Sequence, residues 1–242
     1  MKKLVKYVEN NIISIFSIRK LLLVTLLYSF LNIMTNKLYE IKTFNELITY
    51  SFYGGKSLND VLIISLTWIA VQMILMYINL DFINNELNIK IKMIICRIKS
   101  KRLWVGSVFI AILISCFLYY LVGLIILGVF NWRILLSSFD YLYTIKVLTL
   151  LSLYSFSISM IGFLLTVSLK HETIIITIIL FCYCSALSIK GEVSKYIIFS
   201  QGILERHYNN IITFLWSYLF ITIFSILLCM VVRKLLLRRD IL

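Results

Sequence analysis

The chain has 242 residues, 61% of them hydrophobic and 14% charged, with a mean hydropathy of +0.97. That is far too apolar for a soluble domain, where about 45–50% apolar and about 25% charged is usual. Lys and Arg number 24 against 11 Asp and Glu, for a net charge of +13, but they cluster beside apolar runs, which suits lipid headgroups and argues against nucleic acid as a partner.

Residues 1–19 open the chain with a helical stripe of Leu4, Val8, Ile12 and Ile15, which predicts an interfacial helix leading into the first span. The Met-Lys-Lys start imitates a signal peptide. Glu9, Asn10 and Asn11 interrupt any early apolar region, however, and no small-residue cleavage site follows the first span, so that span is expected to stay in the mature protein.

Six uncharged runs follow: Leu21 to Asn36, Val61 to Leu80, Val105 to Trp132, Val147 to Leu169, Thr173 to Ile189 and Ile211 to Val232. A hydrocarbon core of about 30 Å needs roughly 20 apolar residues. The runs therefore predict spans near 20–37, 60–80, 104–130, 146–169, 172–190 and 211–232, the fifth being short. The fold class expected is an all-α integral membrane protein with six transmembrane helices in a single transmembrane domain, 1–242. Tyr39, Trp132, Tyr208 and Trp216 lie near span ends, where aromatic rings anchor helices at headgroups.

The connections carry unequal charge. The N-terminus, the second-to-third connection, the fourth-to-fifth turn and the C-terminus hold 16 Lys and Arg, the other connections 8. Both termini are accordingly expected to be cytoplasmic. This orientation bears on "SFYGGKSLND", residues 51–60. Its Gly55-Lys56-Ser57 resembles the end of a phosphate-binding loop, but the first Gly of that motif would stand at position 50, which is Tyr50. An outward loop also has no cellular ATP to bind, so Gly54-Gly55 reads as a turn.

Chemistry-bearing residues are scarce. None of the six runs contains Asp, Glu, Lys, Arg or His, which leaves no candidate for proton coupling through an intramembrane carboxylate. "HETII" from His171 lacks the second His of a zinc motif, having Ile175 in that place. His171 and His207 read as solvated, and the five cysteines (Cys96, Cys116, Cys182, Cys184, Cys229) show neither metal nor disulfide spacing. With no Pro anywhere, broken midplane helices are not signalled either. No catalytic, metal or cofactor-binding residue is therefore nominated, and the chain is not expected to be an enzyme.

The segment 81–103, "DFINNELNIKIKMIICRIKSKRL", places Leu87, Ile91, Ile94 and Ile98 at i, i+4, i+7 and i+11, with Glu86 and Lys90 as i,i+4 partners and Asn84 or Asn85 as a possible start cap. Such a helix can lie on headgroups or dock into a soluble partner. With six spans, an interfacial first helix, this long amphipathic connection and an outer segment at 190–210, the arrangement resembles the type-2 ATP-binding-cassette exporter permeases. In sequence the resemblance rests on "FINNELNIKIKMIICRIKSKRLWVGSVF", with Glu86 as the acid, Lys101-Arg102 as the basic pair and Trp104 as the aromatic entering the third span.

The resemblance implies a coupling helix within 84–100 that docks the ATPase subunit through Glu86, Leu87, Lys90, Ile91, Ile94, Arg97 and Ile98. It implies too that 190–210 caps the exit as short outer helices. It further implies partners: a dimer of an ATPase subunit that binds the ATP and Mg, and a second permease chain, identical or homologous. Membrane lipid surrounds the assembly. The cargo expected is an amphipathic peptide, an antibiotic or a lipid-like molecule, as in small Gram-positive exporters and immunity permeases. Two other readings stay open: a non-transporting immunity or scaffold protein, and a secondary carrier.

Overall fold

The computed structural model describes residues 2–54, 62–87, 101–169, 171–189 and 191–238, and every regular element among them is helical. In order these are α1 (Lys2–Ile15), α2 (Ile18–Leu38), α3 (Phe44–Ser51), α4 (Leu62–Asn85), α5 (Lys101–Phe130), α6 (Trp132–Ser138), α7 (Tyr141–Leu169) and α8 (Glu172–Ser188). Two 3-10 turns (Glu192–Tyr196 and Ile198–Ser200), α9 (Leu204–Tyr208) and α10 (Phe214–Arg238) complete the chain. Five helices, α2, α4, α5, α7 and α10, are long and apolar enough to cross a bilayer, which makes this a multi-pass all-α membrane protein. The sixth expected span, α8, is apolar but has only 17 residues, about 25 Å at about 1.5 Å per residue.

Most helices outrun their uncharged cores. α7 begins at Tyr141, before Lys146, and α10 continues past Arg233 to Arg238. Long cationic side chains reach the interface from within a helix, and a continuing helix satisfies its own backbone. α4 likewise runs past Leu80 to Asn85, so Asn84 and Asn85 are not the start cap of a coupling helix but its predecessor's last turn. Asn85 donates to Asp81 at 3.4 Å one turn back.

α7 is the central helix: 78% of its apolar window is inside the bundle, against 28% for α2 and 22% for α10. α5 and α10 flank it, and α4 and α8 close the other side. Gly123 of α5 lets Tyr28 of α2 approach so closely that a Cβ would stand 2.2 Å from its ring. α1 packs on α5 and α4, burying Val8, Asn11 and Ile15 with Ile12 half-buried. Most of the predicted stripe thus packs against protein, while Val5 and Ile13 stay exposed.

One end of the bundle holds Lys20, Asp81, Arg102 and Arg233, and is called here the basic end. The other, the cap end, is made by α3, α6 and residues 191–210. α3 starts with a capping box: Thr43 Oγ1 accepts from Glu46 N (3.2 Å) and Glu46 Oε2 accepts from Thr43 N (3.2 Å). Beneath the cap lies an aromatic plug, in which Phe52 meets Tyr28 at 6.2 Å and Tyr120 at 5.7 Å, and Tyr183 meets Trp68 at 5.4 Å and Phe199 at 5.1 Å. These edge-to-face rings fill the interior next to the cap. Trp132, Tyr208 and Trp216 are exposed at this end, as headgroup anchors should be.

Candidate functional site

At the basic end, the last turns of α4 gather three neighbours. Asp81 pairs with Lys20 at the start of α2 (2.5 Å), and Asn84 Nδ2 donates to Glu172 Oε1 at the start of α8. Just beyond α4, Glu86 is fully buried and its Oε2 accepts from Trp104 Nε1 in the first turn of α5 (3.0 Å). A buried indole N–H needs an acceptor, and this bond supplies it while giving one oxygen of the buried carboxylate a donor. It closes the base of the connection 88–100. Glu172 in turn suits the positive end of the α8 dipole.

The nominated docking residues divide accordingly. Glu86 is turned into the protein against Trp104, and Leu87 is half-buried and packs against the core. Lys90, Ile91, Ile94, Arg97 and Ile98 lie outside the described residues, as do Cys96 and Gly55 to Ser57.

The middle of the bundle holds a neutral polar seam that a search for ionisable residues overlooks. On α4, Asn79 Nδ2 donates to Ser159 Oγ (2.9 Å) and its Oδ1 accepts from Ser115 Oγ (2.8 Å). Gln72 Oε1 accepts from Tyr120 (2.9 Å) and Ser155 (3.1 Å). The signal was present as spacing: Gln72 and Asn79 are i,i+7 on α4, and Ser155 and Ser159 are i,i+4 on α7, two polar faces that meet. The gap beside Gln72, Ser155, Ser159 and Tyr183 has no room for water, and the seam bonds α4, α5 and α7 together. Among the described residues no group of His, Cys, Asp and Glu could hold a metal ion, and Cys116, Cys182, Cys184 and Cys229 are free thiols.

The cap end is the most heavily bonded region. Arg206 is buried, and its Nη2 donates to the carbonyls of Ala186 (2.6 Å) and Ile189 (2.8 Å). These are carbonyls at the C-terminal end of α8, which the helix itself cannot satisfy and where the dipole favours a cation. Burial lowers the Arg206 pKa, partly offset by the Glu205 carboxylate beside it. Gln201 Nε2 donates to Lys195 O (2.8 Å) and its Oε1 accepts from Ser217 of α10 (2.6 Å). Backbone bonds from Leu204 N to Phe52 O (3.4 Å) and Glu205 N to Tyr53 O (3.0 Å) tie the segment to the loop after α3.

His207, expected to be wetted, is buried instead, stacked on Phe214 at 4.7 Å. Its Nε2 is 3.0 Å from Gln201 O; a carbonyl can only accept, so Nε2 carries the proton. Burial lowers its pKa below the ordinary 6.5 despite that bond. At Gly202 a Cβ would stand 2.3 Å from the ring of Tyr154, which shows how closely the cap is seated.

No family model, no curated protein and no solved structure matches the chain.

Proposed function

We propose that this chain is the membrane-spanning permease subunit of an ATP-driven exporter. In this reading six helices cross the plasma membrane, α8 among them, both termini and the basic end face the cytoplasm, and a separate ATPase dimer docks on the connection 88–100. A second permease chain completes the path, and the cargo is an amphipathic peptide, antibiotic or lipid-like molecule. The observation that carries the proposal is the buried Glu86–Trp104 bond. It joins the two stems of a basic, amphipathic connection, so a push on 88–100 reaches α4 and α5 together, and through Asp81 and Asn84 also α2 and α8. A permease without catalytic or ionisable groups in its membrane core needs such an external drive.

The test is purification of the tagged full chain from its host's membranes in mild detergent, with mass spectrometry of co-purifying proteins and an ATP hydrolysis assay. A stoichiometric subunit carrying a complete phosphate-binding loop, lost when Ile91 and Ile94 become Asp, is expected. Leu87 packs against the core and is left unchanged in this test. A chain that emerges alone and without ATPase activity overturns the reading and favours an immunity or scaffold role.

A further inference from the structure

At the basic end, α5, α7 and α10 part around a groove of about 390 Å³, within the range of roughly 300–1,000 Å³ that takes small ligands. On α5 it is lined by Arg102, Val105, Gly106 and Phe109, and on α10 by Ile226, Cys229, Met230 and Arg233. Each set falls at i, i+3, i+4 and i+7, so each helix gives the groove one face. Because α5 runs away from the basic end and α10 runs toward it, both faces carry their arginine at the mouth and apolar residues for about 10 Å below it. Phe156 of α7 forms the floor.

Several observations say what this groove takes. No acid lines it, and neither Arg102 nor Arg233 forms an ion pair among the described residues. Two guanidinium groups sharing a mouth favour an anion, and their planar donors match a phosphate. Below them only Ser225 offers a polar side chain, and its hydroxyl already bonds to Ser157 at 2.5 Å; a free anion has no partner there, whereas a hydrocarbon chain fits. Gly106 leaves the groove open, since a Cβ at that position would meet nothing within 4 Å. We propose that the groove is a binding site for one anionic phospholipid, its phosphate between Arg102 and Arg233 and an acyl chain along Phe109, Phe156, Ile226 and Met230. Basic pockets between membrane helices recognise anionic headgroups by the same physics. The site does not depend on the exporter reading.

The full chain in mild detergent is offered dioleoyl-phosphatidylglycerol and dioleoyl-phosphatidylcholine in competition, and bound lipid is counted by native mass spectrometry. One phosphatidylglycerol retained with a preference of about tenfold is expected, since each basic residue contributes severalfold near a headgroup. The double variant Arg102→Gln/Arg233→Gln should lose the preference. Gly106→Leu should lose the lipid while keeping both arginines, and because Gly106 faces open space it should fold normally. In the unmodified protein, bound phosphatidylglycerol should slow maleimide labelling of Cys229, read by peptide mass, and phosphatidylcholine should not. Equal retention of the two lipids, or a preference that survives both variants, overturns the proposal. So does disulfide cross-linking of Cys229 between two copies in lipid-saturated protein, which would assign the groove to a second chain.

Discussion

At the cap end, residues 191–210 are fastened to α8, α10 and the loop after α3 by Arg206, Gln201 and two backbone bonds, over an interior filled with interlocking rings. At the basic end, helices meet through separate side-chain contacts, Lys20 with Asp81, Asn84 with Glu172 and Trp104 with Glu86. Bonds that share residues and a common buried environment reinforce one another, whereas separated contacts break singly. Among the described residues, the difference predicts where the molecule yields: the basic end should open at a lower free energy than the cap.

The largest break is expected at Arg206. Arg206→Ala removes both bonds to the end of α8 and leaves buried carbonyls unsatisfied, at a cost of about 3 kcal/mol. Thermal unfolding in detergent checks it, with Arg206→Lys restoring only part because an ammonium lacks the fork of donors. Next comes Gly202→Ala, whose added carbon meets the rigid ring of Tyr154 and costs about 1–3 kcal/mol. Gly162→Ala is the control: its nearest contact, the terminal methyl of Met76 at 1.9 Å, can rotate aside, and a much smaller loss is expected.

Trp104→Phe sharpens the other side of the comparison. It removes the indole donor to Glu86 and is expected to cost about 1–3 kcal/mol. If the basic end is the yielding one, hydrogen exchange should rise in the first turns of α5 and the last turns of α4 while residues 191–210 stay protected. Exchange rising equally at both ends would break the comparison.

These two ends were unequally legible in the sequence. The long uncharged runs announced the spans, because each side chain in lipid answers to one rule, and the charge flanks announced which helix ends lie together. The cap was not legible: residues 190–210 contain Glu192, Lys195, Glu205, Arg206 and His207, a composition that reads as wet. The burial of Arg206 follows from a tertiary fact, that α8 ends early and offers its carbonyls. α3 could have been found from Thr43-x-x-Glu46, a capping-box signature, and the polar seam from the seven-residue spacing of Gln72 and Asn79. The stripe of α1 was legible as a buried face, but not that α5 and α4 cover it, because periodicity shows that a face is buried and not what covers it.

His207 gives a smaller, pH-dependent test of the cap. Its pKa is lowered by burial, then adjusted upward by the Gln201 and Ile212 backbone and downward by Arg206, so the unfolded chain takes up a proton at higher pH than the folded one. The cap therefore keeps its full stability above about pH 6.5 and loses part of it as the pH falls through the lowered folded value. Melting curves at pH 7.5 and 5.5 should show that loss. His207→Gln should flatten it while leaving the basic end unchanged.

The smallest effect expected is at Lys20–Asp81, a partly exposed contact with side chains 15% and 40% accessible. Pairs of this kind contribute about 0.2–1 kcal/mol, so neither Lys20→Met nor Asp81→Asn should shift the melting temperature much. Their value lies in a double-mutant cycle. The exchanged pair Lys20→Asp/Asp81→Lys should recover most of what either single exchange loses, because the contact is between side chains whose helices are held elsewhere. The coupling should shrink as salt is raised from low to physiological concentration. A coupling several times larger and indifferent to salt would mean that the ion pair is sealed within the bundle and that the basic end is as tightly fastened as the cap.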